Sequence, residues 1–396
     1  MISVSEALRI LGDHPLPRKR LHLPLELAVG KILLEDISAD RDFPPYDRVT
    51  MDGIAIRFED FKNGQRSFPI EATIAAGQPT YEVIGSNSCV EIMTGAVLPI
   101  GLDTVIRYED VVIDDGKALV ELPKLQINAN VHAQGSDRSA NAVLVHAPIK
   151  LTPAEIAIAA TVGKAQLLVA DLPRVLVVST GDELVPVESI PLPHQIRSSN
   201  VHTISAALHL LGVEAAHAHL KDDADEVHDS LNRFLAEHQV IILIGGNSKG
   251  KFDYVPSTLR NLGVEELFYK VRQRPGKPFM FGVHPTGKFV FALPGNPVSS
   301  FMCLVYYFRY WLDQSLGIEN AYPLAKLSQN VEFLRPLTYF LPVKIANQGS
   351  EIVAQPVEGR GSGDLANLTD ADAFLILPEG QNQYEAGSAF PYISYR

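Results

Sequence analysis

Four short stretches of this 396-residue chain gather side chains suited to holding a charged ligand. STGDEL at 179–184 carries Thr180, Asp182 and Glu183, and KDDADE at 221–226 carries Asp222. GGNSKGKFD at 245–253 carries Ser248, Lys249, Lys251 and Asp253, and RPGKP at 274–278 carries Arg274 and Lys277. The carboxylates suit a hard divalent cation such as magnesium, which takes oxygen ligands and commonly bridges acids to a substrate's phosphates. Gly181, Gly245, Gly246 and Gly250 let backbone N–H groups approach phosphate oxygens closely. Together these groups predict a site for an anionic, phosphorylated, metal-accompanied ligand. Simpler roles compete at each position. Glycines after strands are often plain turns, Asp182 or Asp222 alone can cap a helix, and the PGNP run from Pro294 to Pro297 can be a rigid turn.

GGNSKGK also has the glycine and lysine spacing of a phosphate-binding P-loop. That motif needs Ser or Thr after its lysine to hold the metal, and here the residue is Phe252. The run also follows a strand deep inside its unit rather than the first one, so the ATPase or GTPase reading is set aside.

The elements that must position these groups are legible in the texture of the chain. From about Leu172 strand and helix alternate: RVLVVST as a buried strand, a helix capped by Asn200 and stopped by Gly212, VEAAHAHL as a strand, the helix DADEVHDSLNRFLAEH, the central strand QVIILIGG, and the helix DYVPSTLRNLG. Such alternation buries a mostly parallel sheet between helices, with the ligand crevice outside the carboxyl ends of its strands. Residues 40–145 carry short alternating apolar pieces broken by Gly, Asp and Pro, including a hairpin turn at Asp114 to Gly116, and predict a β-rich insert. Ser3 with Glu6 opens a first helix, and Thr152, Pro153 and Glu155 open another that Gly163 stops. Pairing those two helices predicts a discontinuous helical domain from 1–39 and 146–171 around the insert. An α/β domain at 172–320 and a small all-β tail at 321–396 complete the expected organisation.

Composition narrows the function. The 34 Lys and Arg against 46 Asp and Glu give a formal charge of -12, which argues against broad contact with nucleic acid or an anionic membrane. No apolar run approaches the length of a membrane span and the N-terminus has no signal-peptide core, so a cytoplasmic protein is expected. Cys89 and Cys303 are read as buried thiols, the twelve histidines as surface or packing residues, and Tyr306, Tyr307, Tyr310 and Trp311 as the packing face of a helix rather than a base-stacking platform.

Eight segments resemble, in order, the molybdopterin molybdenumtransferases of the MoeA type, related to the E domain of gephyrin. They are FPPYDRVTMDGIAIR, EIMTGAVLPIGLDTVIRYEDV, VVSTGDELV, IRSSN, GGNSKGKFDYV, RPGKPFMFG, FALPGNPVSSF and GRGSGDLANLTDADAFLILPEG. The resemblance implies a helical stalk with a β-rich insert, a molybdopterin-binding α/β domain and a small C-terminal β-barrel, assembled as a homodimer whose cleft is composite. It implies insertion of molybdate into adenylylated molybdopterin with magnesium present and AMP released, downstream of a molybdopterin adenylyltransferase. Asp52 and Thr94 match the family's insert positions, and Glu183, Asp222, Asp253, Arg274 and Lys277 those of its binding domain. Asp182, Glu183, Asp222 and Asp253 become the implied metal ligands. Gly181, Gly245, Gly246, Ser248, Gly250, Pro294, Asn296 and Ser299 lie in the matched binding motifs, and Arg360 and Ser362 match the tail.

The chain also departs from the family pattern. The usual FDNSAMDGYA is YDRVTMDGIA here, so Arg48, Val49, Thr50 and Ile54 are unusual, and the usual GGVSVG is GGNSKG, which introduces Asn247 and Lys249. Arg274 stands where lysine is common. These changes are expected in the cleft rather than the core, and they frame an alternative: a non-catalytic or altered-substrate paralogue that binds molybdopterin or serves as a scaffold.

Overall fold

A computed structural model describes residues 1–221, 223–246, 254–359 and 361–396. Asp222, Asn247, Ser248, Lys249, Gly250, Lys251, Asp253 and Arg360, all singled out above, lie outside the described residues. The chain divides into two compact units: residues 22–29 with 33–167, and residues 1–21, 30–32 and 168–396.

The first of these units is built on a sheet ordered Thr104–Arg107, Gly53–Ile56, Cys89–Ile92, Ser67–Ile74, Lys117–Val120, Val111–Asp114. Successive side chains of a strand point to opposite faces, and here both faces are apolar. Ala55 packs with Val90, Ile92 and Val105 on one side, while Ile54 and Ile56 pack with Phe61, Phe68 and Ile106 on the other. The hairpin at Asp114 to Gly116 forms as read, with Asp115 and Gly116 at φ 45° and 70°, the left-handed pair that a two-residue turn requires. The helix Pro153–Thr161 has its full capping box: Thr152 accepts from Ala154 N, Glu155 accepts from Thr152 N, and Gly163 leaves the helix at φ 77°. This helix packs against the short helix Leu25–Ala28.

The second unit contains the expected α/β sheet, ordered Ala215–Leu220, Val175–Thr180, Val240–Ile244, Lys288–Leu293, Pro278–His284, Glu265–Lys270. Its first four strands are parallel and the hairpin on the far edge is antiparallel. Every residue of Val175–Thr180 and Val240–Ile244 is buried, because helices cover both faces. Leu176, Val178, Ile241 and Leu243 pack on Val227, Leu231 and Phe234 of the helix Ala224–Glu237 and on Leu259 of the helix Val255–Asn261. On the opposite face Phe289 and Phe291 lie against Trp311, with ring centroids 4.9 and 5.1 Å apart. Trp311 belongs to a long helical run from Pro297 to Leu316 whose middle turn, Leu304–Phe308, is π-helical. This run also takes the helix Val4–Asp13, whose apolar stripe packs here. Trp311 Nε1 donates to His14 O at 2.8 Å, and Leu16 N donates to Ser315 Oγ at 2.8 Å.

The tail closes into a barrel. Strand Thr338–Gln348 pairs with both Glu351–Pro356 and Ala373–Leu377, and Leu324–Leu327 and Ala389–Ser394 complete the circuit around Leu341, Val343, Ala354 and Leu375. Closure removes the exposed edges that a small sheet would otherwise present. The multidomain α/β and β fold class expected from the sequence is therefore the fold observed, with its parallel-rich sheet, helical and β-rich parts and small barrel.

Gly53 follows Asp52 in the middle of the first unit's sheet, and a Cβ there would lie 1.8 Å from Ile106 O of the neighbouring strand. Gly53→Ala is expected to cost about 3 kcal/mol or more, because the clash is with backbone and cannot be relieved by a rotamer. Denaturant unfolding of the variant checks this, and wild-type stability would contradict it.

Candidate functional site

The carboxyl ends of the parallel strands gather most of the described groups that the sequence singles out. Thr180 ends one strand, Gly181 follows at φ 128°, and Asp182 and Glu183 stand exposed beyond it. Gly245 and Gly246, at φ 87° and 57°, leave the adjacent strand against Thr180, whose Oγ1 would lie 3.0 and 2.8 Å from a Cβ at those two positions. The strands fall in the chain order second, first, third, fourth, so this junction is the topological switch point where such sheets bind ligands. One residue along the edge, a Cβ on Gly295 would touch Gly245 Cα at 3.6 Å. Among the described residues no three His, Cys, Asp or Glu side chains cluster as metal ligands.

A cleft of about 470 Å³ opens on the same edge, lined by Arg274, Lys277, Pro294, Asn296, Ser299 and Ser362 together with Arg335 and Gln273. Six residues drawn from three separate motifs are thus brought to one concavity, and PGNP is part of its wall rather than a turn alone. Asn296 Nδ2 donates to Ser362 Oγ at 2.7 Å, and Val298 N donates to Ser362 O at 3.2 Å, so the tail is tied to the start of the long helix. Asn200 was expected to cap its helix, but Ser198 holds the N-cap position; the Asn200 amide instead donates to Gly295 O at 2.6 Å and fixes the PGNP turn. Arg335 escapes sequence reasoning because it lies outside every motif that carries the family resemblance.

Arg274 and Lys277 are exposed, yet the backbone beneath them is not free. Gln273, only 1% exposed, donates from Nε2 to Gly276 O at 2.8 Å and to Cys303 Sγ at 3.5 Å, and it accepts the Tyr307 hydroxyl proton at Oε1. Burial pushes the Tyr307 phenol well up, so it stays a donor. Gly276 has no room for a side chain: at φ 82° its Cβ would lie 2.8 Å from Cys303 Sγ. Gln273 and Arg274 also pair in parallel with Thr338 and Tyr339, which makes this loop a strand of the barrel. The Arg274 guanidinium lies 6.0 Å from the centre of the Phe333 ring, which stacks on Tyr339 at 4.4 Å. A second concavity of about 420 Å³ shares Arg274, Pro275 and Ser362 with the first and runs along Tyr339, Phe340, Gly361 and Asn367.

In the other unit Asp52 and Thr94 are brought together. Asp52 Oδ1 accepts from Thr94 N at 2.6 Å and from Thr94 Oγ1 at 2.7 Å, and these two bonds hold the carboxyl below the usual carboxylate range. Two of the departures nearby are core residues: Val49 is 1% and Ile54 0% exposed, each within an apolar cluster, which overturns for these two the expectation of a place in the cleft. Arg48 donates toward His132 Nδ1 at 3.2 Å, and His132 Nε2 reaches Asp137 at 2.9 Å, so that substitution completes a surface hydrogen-bond chain.

Fold and cleft together define a class: a multidomain α/β protein with a cleft at the strand ends that is lined by cationic side chains and by residues of a small β-barrel. The profile for the MoeA N-terminal region (domain I and II) matches residues 2–163, that for the probable molybdopterin binding domain matches 176–314, and that for the MoeA C-terminal region (domain IV) matches 325–395. The chain is 37% identical to a molybdopterin molybdenumtransferase of Synechocystis sp. over 100% of both sequences, and 29% identical to one of Staphylococcus epidermidis over 98% of this chain and 94% of that one. It superposes on the crystal structure of a molybdopterin biosynthesis protein from Pyrococcus horikoshii with a TM-score of 0.85 and 29% identity, covering 100% of this chain and 99% of the other. The chain belongs to the MoeA family of molybdopterin molybdenumtransferases, which places it in molybdenum cofactor biosynthesis.

Removing the Thr94 hydroxyl as Thr94→Val leaves the backbone bond and is expected to raise the Asp52 pKa toward the ordinary carboxylate value. The folded-state pKa lies below the unfolded one, so this group contributes stability above the unfolded pKa and loses it as pH falls through the folded one. Carboxyl-carbon NMR titration of Asp52 reads the shift, and an unmoved titration would contradict it.

Proposed function

We propose that this protein inserts molybdate into adenylylated molybdopterin in a magnesium-dependent reaction that releases AMP. The observation that carries the reading is the convergence of Arg274, Lys277 and Arg335 with the hydroxyls of Ser299 and Ser362 on one cleft. Three cations and two hydroxyls suit a tetrahedral oxyanion or a phosphoryl group: arginine offers a planar fork of donors and lysine a point charge. Asp182 and Glu183 stand at the neighbouring switch point, and with Asp222 and Asp253, which lie outside the described residues, they would supply an oxygen-only donor set of the kind a hard cation takes. When bound there, magnesium would polarise the phosphoanhydride and offset charge on the departing AMP. Gly181, Gly245, Gly246, Ser248 and Gly250 would present backbone donors to the same phosphates, and Pro294 and Asn296 would shape the wall. Arg360 would add a further cation from the tail.

On this reading the working assembly is a cytoplasmic homodimer in which Asp52 and Thr94 of one subunit face the α/β domain of the other, with a molybdopterin adenylyltransferase supplying the substrate. The subunit keeps four parts: 1–39 with 146–171, 40–145, 172–320 and 321–396. A scaffold without turnover is less well supported, since two of the substitutions that suggested it, Val49 and Ile54, are core packing.

Incubation with adenylylated molybdopterin, magnesium and molybdate is expected to release AMP in step with cofactor formation. Arg335→Ala should weaken the apparent affinity for molybdate by about tenfold or more, the effect of losing a charged hydrogen bond of ~1.5–3 kcal/mol. AMP release that ignores molybdate, or an Arg335→Ala variant with unchanged molybdate dependence, would contradict the assignment.

A further inference from the structure

The edge strand Ala215–Leu220 carries His217 and His219 on one face, opposite the helix Ser199–Leu210. That helix presents His202 and Ser205, three residues apart and therefore neighbours on its surface, to the strand. His217 lies between them. Its Nε2 is 2.6 Å from Ser205 Oγ, and its ring meets the His202 ring edge-on with centroids 5.9 Å apart. In the tautomer whose Nε2–H donates to Ser205 Oγ, Nδ1 of His217 carries the lone pair. His202 is exposed and makes no hydrogen bond among the described residues, so its ring can turn to bring a nitrogen alongside.

We infer that His202 and His217 form a two-imidazole site for a first-row divalent cation, with copper(II) held most tightly. The rings meet edge to face with centroids 5.9 Å apart, so a turn of the exposed His202 ring brings both within reach of a single ion at the ~2.0 Å nitrogen distances typical of such metals, with water filling the other positions. The Ser205 hydroxyl supplies what metal-bound histidines ordinarily have, an acceptor on the second ring nitrogen that fixes tautomer and orientation. No third His, Cys, Asp or Glu joins the pair among the described residues, so water and not protein completes the shell. Both thiols are buried and do not compete for the ion. The site is on the sheet edge formed by Ala215–Leu220, separated from the cleft by the strands between, and it does not depend on the transferase reading.

The test is copper(II) titration of the untagged full-length protein followed by electron paramagnetic resonance. The wild type should bind one equivalent with a two-nitrogen hyperfine pattern. That pattern should collapse to one nitrogen or vanish in His217→Ala and in His202→Gln, while Ser205→Ala should keep both nitrogens and bind about tenfold more weakly. Circular dichroism confirms that the surface variants fold. Absence of saturable binding in the wild type, or the same spectrum and affinity in His217→Ala, would overturn the inference.

Discussion

Beneath the loop at 274–278 the side-chain amide of Gln273 is enclosed, and each of its polar atoms is used. It donates to Gly276 O and Cys303 Sγ and accepts from Tyr307, whose side chain is fully buried. A buried amide left unpaired costs about 1–3 kcal/mol, so the loop, the π-helical turn carrying Tyr307 and the strand holding Gln273 are fixed together or lose that energy together. Because the same two residues, Gln273 and Arg274, also pair with Thr338 and Tyr339, this single amide joins the α/β sheet to the barrel.

The candidate cleft follows from that junction. Arg274 and Lys277 leave the braced loop on its exposed side, Arg335 arrives from the barrel, and Asn296 and Ser362 close the wall through their shared hydrogen bond. Long cationic side chains would otherwise lose considerable rotamer freedom on gripping an anion. A rigid backbone beneath them limits that loss to the side chains themselves. The π-helical turn is in keeping with this arrangement, since such turns occur mostly as local insertions near functional sites.

Much of this was legible in the chain. The uniformly apolar VLVVS and VIILI runs require a sheet covered on both faces, and that is where they lie. Thr152, Pro153, Glu155 and Gly163 spell a helix with its ends, and Asp114 to Gly116 spells a hairpin, because caps and turns are decided within a few residues. What was not legible depends on partners distant in sequence. Nothing near Arg335 marks it as a cleft residue, and nothing in QRPGKP shows that Gln273 faces inward to Tyr307, 34 positions away. Val49 and Ile54 are expected in a cleft because their motif carries Asp52, but each is a β-branched apolar side chain that fills a core cluster. Asn200 was taken for a cap on residue type alone, and a tertiary acceptor, Gly295 O, claimed its amide instead.

The central claim is that the buried Gln273 network holds the loop that presents Arg274 and Lys277. Amide hydrogen exchange in Tyr307→Phe tests it at two reporters, since Val271 N and Phe279 N both donate to Lys277 O at 3.1 Å. Losing the hydroxyl leaves Gln273 Oε1 unpaired, and the resulting local opening should speed exchange at those two amides by about tenfold or more, with the amides of Val240–Ile244 unchanged. Wild-type protection at Val271 and Phe279 in a folded Tyr307→Phe protein would contradict the account.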